Sequence, residues 1–418
     1  MEFSKYLKAK YIFTFSSLNY LQAGISLGVS VLLARHVSRE DFGYFSYGMV
    51  FANTLNVLMQ FGTDRTLIRD LVQLRKPDLV ISSAAWLWIA AGAICEMGIL
   101  VWLIFFSGAP DKSIELVLFC SLLGFVRGMT PSAWFDFKGK MNYQTAIMLL
   151  DRLLFLACMV IIIFFSEDKQ AIFHAAIAQL ICRMITLAME WKFVFRTAQI
   201  ALKPAGDFIL LLVKENVWVW LAAIGNLLMT QANQFILNHK TGPKELALYG
   251  LAFQIITAIR LLQSQLLRLS SPSIAKFTEN ANGNGAETIK KLYSFCGLTL
   301  VLSLGVVVPT YFVTPYIIKT FIGGQYLSSL PVLNVLYVWS LLFGVAIIIN
   351  QFLIGLRLQR FFFISTAVFG LLSLLLANIF TEKYGAIGAA LSLLLSHFCS
   401  VIFQFVIVLR TLKKMQHG

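Results

Sequence analysis

The chain has 418 residues, of which 58% are hydrophobic and only 13% charged, and its mean hydropathy is +0.78. Soluble domains carry about 25% charged residues, so this composition excludes an ordinary soluble enzyme and specifies an integral membrane protein. The formal net charge of +14 is spread in short clusters between apolar runs rather than gathered on a basic domain, which argues against nucleic acid as a partner.

A crossing helix needs about 20 mainly apolar residues. The sequence predicts twelve such spans, at 11–34, 42–61, 79–106, 115–133, 143–166, 171–191, 216–237, 246–268, 293–316, 329–354, 361–380 and 386–408. The first follows MEFSKYLKAK, is too long for a signal peptide, and is read as an uncleaved helix. Trp86, Trp88, Trp191 and Trp218 fall near span ends, where interfacial aromatics are expected. Alternating the connections between two sides puts 22 lysines and arginines on one side and 8 on the other. Cytoplasmic loops collect these residues, so both termini are expected in the cytoplasm.

The longest connection, 192–215, is expected to be a cytoplasmic linker, with its FILLLV stretch (208–213) as an interfacial helix. It separates a first six-helix lobe, 1–191, from a second, 216–418. Internal matches support a duplication. SREDFGYFSYG (38–48) parallels GPKELALYGLA (242–252). DKQAIFHAAIAQL (168–180) parallels EKYGAIGAALSLL (382–394), with Ala171, Ile172 and Ala175 on Ala386, Ile387 and Ala390. FDFKGKMNY (135–143) occupies the place of QFLIGLRLQR (351–360). The fold expected is all-α, polytopic, with two pseudo-symmetric lobes around a central cleft.

Polar residues three and four apart mark helix faces that meet a wet cavity or another helix. Such stripes occur on the opening pair of each half. They are Asn19, Gln22, Ser26 and Ser30; Ser46, Asn53, Asn56, Gln60 and Asp64; Asn226, Thr230 and Asn233; and Gln254, Thr257, Arg260, Ser264 and Arg268. Ser392, Ser396 and Ser400 share a register but read as structural.

Arg152, Arg183 and Arg260 lie inside apolar runs, where each costs about 2.5–3.5 kcal/mol near the bilayer centre. Arg260 is roughly 21 Å into its span by helical rise, too deep to snorkel. Arg183 is close enough to a span end for its stem to reach headgroups. Asp151 and Arg152 are adjacent, so they point in different directions on a helix and are not expected to neutralise each other. Asp151 or Glu96 is expected to pair with an arginine of another helix. Arg260, Arg268, Arg152 and Arg183, with Gln22, Asn53, Asn56 and Asn233, form the expected substrate-binding set; Asp64, Glu96 and Asp151 are candidates for a coupling ion. The cysteines form no CxxC pair and the five histidines form no ligand cluster, so neither a metal nor another cofactor is expected.

The motifs LLARHVSREDFGYFSYG, FGTDRTLIRD, PSAWFDFKGKMNYQTAIMLLDRLL, FIGGQYLSSLPVLNVL, QFLIGLRLQR and EKYGAIGAALS resemble the bacterial polysaccharide transporter family. More narrowly, the chain is similar to its O-antigen flippases, in the superfamily that also holds lipid II flippases and multidrug exporters. The resemblance implies translocation of an undecaprenyl-pyrophosphate-linked oligosaccharide from the cytoplasmic to the periplasmic leaflet, for lipopolysaccharide O-antigen synthesis. It also implies the polymerase and chain-length machinery as partners. Arginine forks suit a diphosphate, and Asn, Gln and Ser stripes suit sugar hydroxyls. The alternatives are a cation-coupled multidrug exporter of the same fold, and a membrane glycosyltransferase or polymerase acting on the same lipid-linked sugar.

Overall fold

The computed structural model describes residues 9–73, 76–106, 111–166, 170–200, 205–279 and 285–417. Every regular element among them is helical. The chain divides into two compact units, Met1–Ala223 and Ile224–Gly418. Nine segments among the described residues are long and apolar enough to cross a membrane, which makes this a multi-pass membrane protein.

Unit 1 contains α1 (Ala9–His36), α2 (Arg39–Met59), α3 (Thr63–Gln73), α4 (Pro77–Phe106), α5 (Asp111–Gly128), α6 (Ser132–Phe137), α7 (Met141–Phe165), α8 (Ala171–Thr197) and most of α9 (Gly206–Thr230). Helix α2 starts with a cap: the Asp41 backbone N–H donates to Ser38 Oγ at 3.1 Å, and Ser38 Oγ donates to the Asp41 carboxylate at 2.7 Å. It packs most extensively on α5, while α1 packs on α7, and α7 and α5 on α8. Gly124 permits the α2–α5 approach, because a Cβ there would lie 2.4 Å from the Ala52 carbonyl oxygen.

Unit 2 contains the end of α9, α10 (Ala232–Thr241), α11 (Pro243–Glu279), α12 (Gly285–Ile317), α13 (Leu330–Gly355) and α14 (Gln359–His417). A π-helical turn, Ile318–Ile322, and a 3-10 turn, Gly324–Ser329, join α12 to α13 across the FIGGQYLSS motif. At 59 residues, α14 would be about 88 Å long if straight, nearly three times the bilayer core. It breaks at Gly385, whose φ of +55° lies in the left-handed region that glycine tolerates. Beyond the break, the Ala386 N–H donates to Glu245 Oε2 at 3.0 Å, so an acid at the start of α11 caps the second half of α14.

Two expected spans fall outside the nine apolar segments, α2 and α11. They are helices nonetheless, and they carry the two longest polar stripes, which lower their hydropathy. The connection 192–215 is largely helical: α8 continues to Thr197 and α9 begins at Gly206. Phe208, Ile209, Leu212 and Val213 of FILLLV pack with Trp134, Trp191 and Val194, while Leu210 and Leu211 are exposed. Trp88 faces the protein interior: it is buried in the same cluster and donates to Thr63 Oγ1 at 2.8 Å. The short helices α3 and α6 were not expected, being too brief to leave an apolar run. The span expected at 216–237 is interrupted at Gln231, where α9 ends and α10 begins.

Candidate functional site

Unit 1 gathers five charged side chains from three helices. The Arg183 guanidinium on α8 is buried and forms a 3.0 Å ion pair with Glu190, which is 0% exposed. It also donates to Thr130 Oγ1, and to Thr186 Oγ1 at 3.4 Å. Thr186 Oγ1 lies 3.3 Å from Asp151 Oδ1, carrying the network from α8 to α7. Thr130 Oγ1 donates back to the Arg127 carbonyl at 2.6 Å. Arg127, near the end of α5, stands within electrostatic reach of Asp151, Arg152 and Arg183.

Three arginines against two carboxylates leave this cluster one positive charge in excess. The distribution is uneven in depth. Asp151, Arg183 and Glu190 are buried, whereas Arg127 and Arg152 are half-buried as residues. An arginine offers several N–H donors in a planar fork matched to phosphate or carboxylate oxygens. The excess charge of the network suits an anion, while the Arg183–Glu190 pair and Thr186 fix its inner part in place.

Unit 2 holds a different environment, built around Arg260 of α11. Its guanidinium carbon lies 3.6 Å from the Phe343 ring centroid and 4.5 Å from that of Trp339, both on α13. The His397 imidazole of α14 stacks on Phe343 at 6.3 Å and meets Trp339 edgewise at 6.0 Å. Phe253 stacks between Tyr249 and Trp339, at 5.8 and 5.7 Å. Arginine over aromatic faces gains a cation–π attraction that grows as water is excluded. Among the described residues, the buried Tyr249 hydroxyl, Trp339 Nε1 and His397 Nε2 have no hydrogen-bond partner.

Several sequence expectations change here. Arg183 does not snorkel, because Glu190, seven residues along the same helix, satisfies it inside the unit. Arg152 does approach its sequence neighbour: Nε is 3.7 Å from Asp151 Oδ2, since a long arginine stem folds back where the acid is held by Thr186. Among the described residues Glu96 of α4 pairs with no arginine; its Oε1 accepts from Ser121 Oγ of α5 at 2.6 Å, and its buried Oε2 finds no hydrogen-bond partner there. Asp64 is exposed, in the first turn of α3. Asn233 is fully buried, donating to the Met229 carbonyl at 3.0 Å and accepting from Ser373 at 3.1 Å, so it ties α10 to α14. Gln22, Asn53 and Asn56 are half-buried, and Asn56 accepts from Gln60 at 3.3 Å. Among the described residues, none of the three bonds to the arginine network. The Arg268 side chain lies outside the described residues.

Arg127, Glu190, Trp339, Phe343 and His397 were missed. Arg127 lies inside the expected span 115–133, a signal obscured by counting it with the loop charges. The aromatic partners carry no such mark, because rings in an apolar span look like ordinary packing. Among the described residues no group of three or more His, Cys, Asp or Glu side chains is placed to hold a metal ion.

The profile of the family described as "Polysaccharide biosynthesis protein" matches residues 9–268. No curated protein sequence matches the chain. Among solved structures, an inward-facing multidrug resistance MATE family transporter of the MOP superfamily superposes with a TM-score of 0.75 at 13% identity, covering 97% of this chain and 99% of that one. The lipid II flippase MurJ, inward closed, gives 0.69 at 16% identity, with 96% and 89% covered. A MOP superfamily transporter from Pyrococcus furiosus Vc1, described as having a binding pocket of reverse polarity, gives 0.71 at 15% identity, with 97% and 96% covered. At these identities the structural likeness establishes the fold, and the profile match over more than half the sequence establishes the family. The chain belongs to the polysaccharide biosynthesis protein family.

Proposed function

We propose that the protein is a flippase that moves an undecaprenyl-pyrophosphate-linked O-antigen repeat unit from the cytoplasmic to the periplasmic leaflet of the inner membrane by alternating access. The observation that carries this reading is the excess positive charge of the unit 1 network, in which Arg127 and Arg152 stand beside Asp151, Arg183 and Glu190. A diphosphate is the strongest anion on such a lipid, and desolvated arginine forks bind it bidentately. Arg260 in unit 2 supplies a further cation, and Gln22, Asn53 and Asn56 are suited to sugar hydroxyls. Membership of a polysaccharide family and a fold shared with a lipid II flippase support a lipid-linked sugar as cargo.

An exporter of cationic drugs needs carboxylates in excess, and the charge balance of the unit 1 cluster is the reverse. Of the carboxyls considered for a coupling ion, Glu96 is favoured by its single hydroxyl partner and its buried second oxygen. The deciding experiment is reconstitution in proteoliposomes with a fluorescent polyprenyl-diphospho-oligosaccharide. Protein-dependent loss of label from one leaflet, abolished in Arg127→Ala/Arg152→Ala, supports the reading. Equal flipping by the native protein and this double variant sinks the assignment of these arginines, and no flipping by the native protein sinks the function.

A further inference from the structure

The end of unit 1 where α7 begins and α8 finishes carries basic side chains that the flippase reading does not use. Both helices are long and apolar enough to cross a membrane, and they follow one another in the chain, so Met141 and Thr197 come to the same membrane surface. At 27 residues α8 is about 40 Å long, roughly 10 Å more than the hydrocarbon core. Lys192 and Arg196 place that overhang at headgroup depth, where charged heads stay hydrated.

Four cations gather there. Lys192 and Arg196 are four residues apart and share one face of α8. Lys138 follows α6 and Lys140 precedes α7; between them Gly139, at a φ of +71°, allows the sharp turn. Two contacts fasten α6 to the last turns of α8: Trp134 Nε1 donates to Thr197 Oγ1 at 2.9 Å, and Phe135 stacks on Phe193 at 4.8 Å. Phe193 follows Lys192 and Thr197 follows Arg196, so the same contacts bring the two pairs of cations together. Lys138 Nζ lies 4.7 Å from the Trp134 ring centroid, its charge resting on the indole that reaches Thr197. All four cations are exposed, and among the described residues none is held in an ion pair. Of the carboxylates nearest in sequence, Asp136 is half-buried and Glu190 is committed to Arg183. The corner therefore has positive charge in excess.

Apolar surface borders the cations. Phe195 is 61% exposed on α8, and Leu210 is 54% exposed near the start of α9, whose Phe208 and Leu212 pack in the same cluster as Trp134. An acidic soluble partner would match the charge and leave these apolar side chains in water. A phospholipid presents a phosphate with acyl chains directly beneath it and matches both. We propose that this corner is a binding site for the headgroup of an anionic phospholipid. Arg196 and the lysines take the phosphate oxygens, and the acyl chains lie against Phe195 and Leu210. The site is separate from the cargo and does not depend on its identity.

The test is native mass spectrometry of the detergent-solubilised full chain with phosphatidylglycerol, with zwitterionic phosphatidylcholine, and with glycerol phosphate as a headgroup without chains. The native chain is expected to hold phosphatidylglycerol roughly tenfold more tightly than phosphatidylcholine. Lys192→Gln/Arg196→Gln and Lys138→Gln/Lys140→Gln should each weaken phosphatidylglycerol by roughly five- to twentyfold and leave phosphatidylcholine unchanged, since one cation near an anionic lipid surface contributes about a fivefold factor. Lys413→Gln/Lys414→Gln, which removes the same charge from the end of α14, should bind both lipids as the native chain does. Melting temperature in detergent checks that each variant is folded; if Lys138 is needed to hold Trp134, the exposed α8 pair still decides. Equal native affinity for the two lipids, α8 variants that bind like the native chain, or an equal loss in the α14 control overturns the proposal. Glycerol phosphate competing on equal terms with the lipid also overturns it, by making the corner a site for a soluble phosphate.

Discussion

Arg183 and Glu190 sit seven residues apart on one helix, and their side chains meet at 3.0 Å with almost no exposure. Two turns of α-helix place residues i and i+7 on one face, and the long arginine stem closes the remaining gap. The pair anchors the charged network of unit 1, because the same guanidinium reaches Thr130 and Thr186.

Breaking that pair from one side should be severe. Glu190→Ala leaves an uncompensated buried guanidinium, with an expected loss of about 3–5 kcal/mol, read as a large fall in melting temperature in detergent. Replacing both partners by Met should recover most of the loss. If Glu190→Ala melts like the native protein, the pair does not form as described.

Arg127 and Arg152 should behave differently. Each single Ala variant is expected to insert and melt normally yet lose most surface polysaccharide in cells, since charge-assisted hydrogen bonds contribute about 1.5–3 kcal/mol each. That corresponds to roughly ten- to a hundredfold weaker binding of the diphosphate lipid. Lysine at either position should restore part of the function, because it keeps charge but not the fork.

Gly385 supplies a backbone conformation and a space. A Cβ there would lie 2.7 Å from Glu245 Oε2, at a φ of +55°. Gly385→Ala is expected to destabilise by about 1–3 kcal/mol, and Glu245→Ala, which removes the cap, by about 0.5–2 kcal/mol. Thermal melting of the two variants checks the order.

If Glu96 holds the coupling ion, Glu96→Gln should leave the fold intact and remove the response of flipping to an imposed proton or sodium gradient. The measurement is initial flipping rate in proteoliposomes with and without the gradient. A gradient response unchanged in the variant removes Glu96 from consideration.

The helical membrane fold was readable because bilayer physics leaves few options: long apolar runs must be helices that satisfy their own backbone. The expected 329–354 span corresponds to α13 at Leu330–Gly355, and 143–166 to α7 at Met141–Phe165. What escaped was short or interrupted, such as α3, α6 and the break at Gln231, where no long apolar window exists. Deep arginines were visible as costly exceptions in a run of hydrocarbon. Their partners were not: threonines such as Thr186 and Thr130 are common in spans, Glu190 lies seven residues from Arg183 with no spacing that marks it, and Trp339, Phe343 and His397 meet Arg260 from helices far along the chain.

The bond between Glu245 and the Ala386 N–H sets a common zero mark on two helices. Arg260 stands fifteen residues along α11 from that mark, about 22 Å, and His397 eleven residues along the second half of α14, about 16 Å. Side-chain reach spans the difference. The two groups are thus held in register by counting turns from one shared origin, and the lengths of the connections around α12 and α13 can vary without changing the spacing between them.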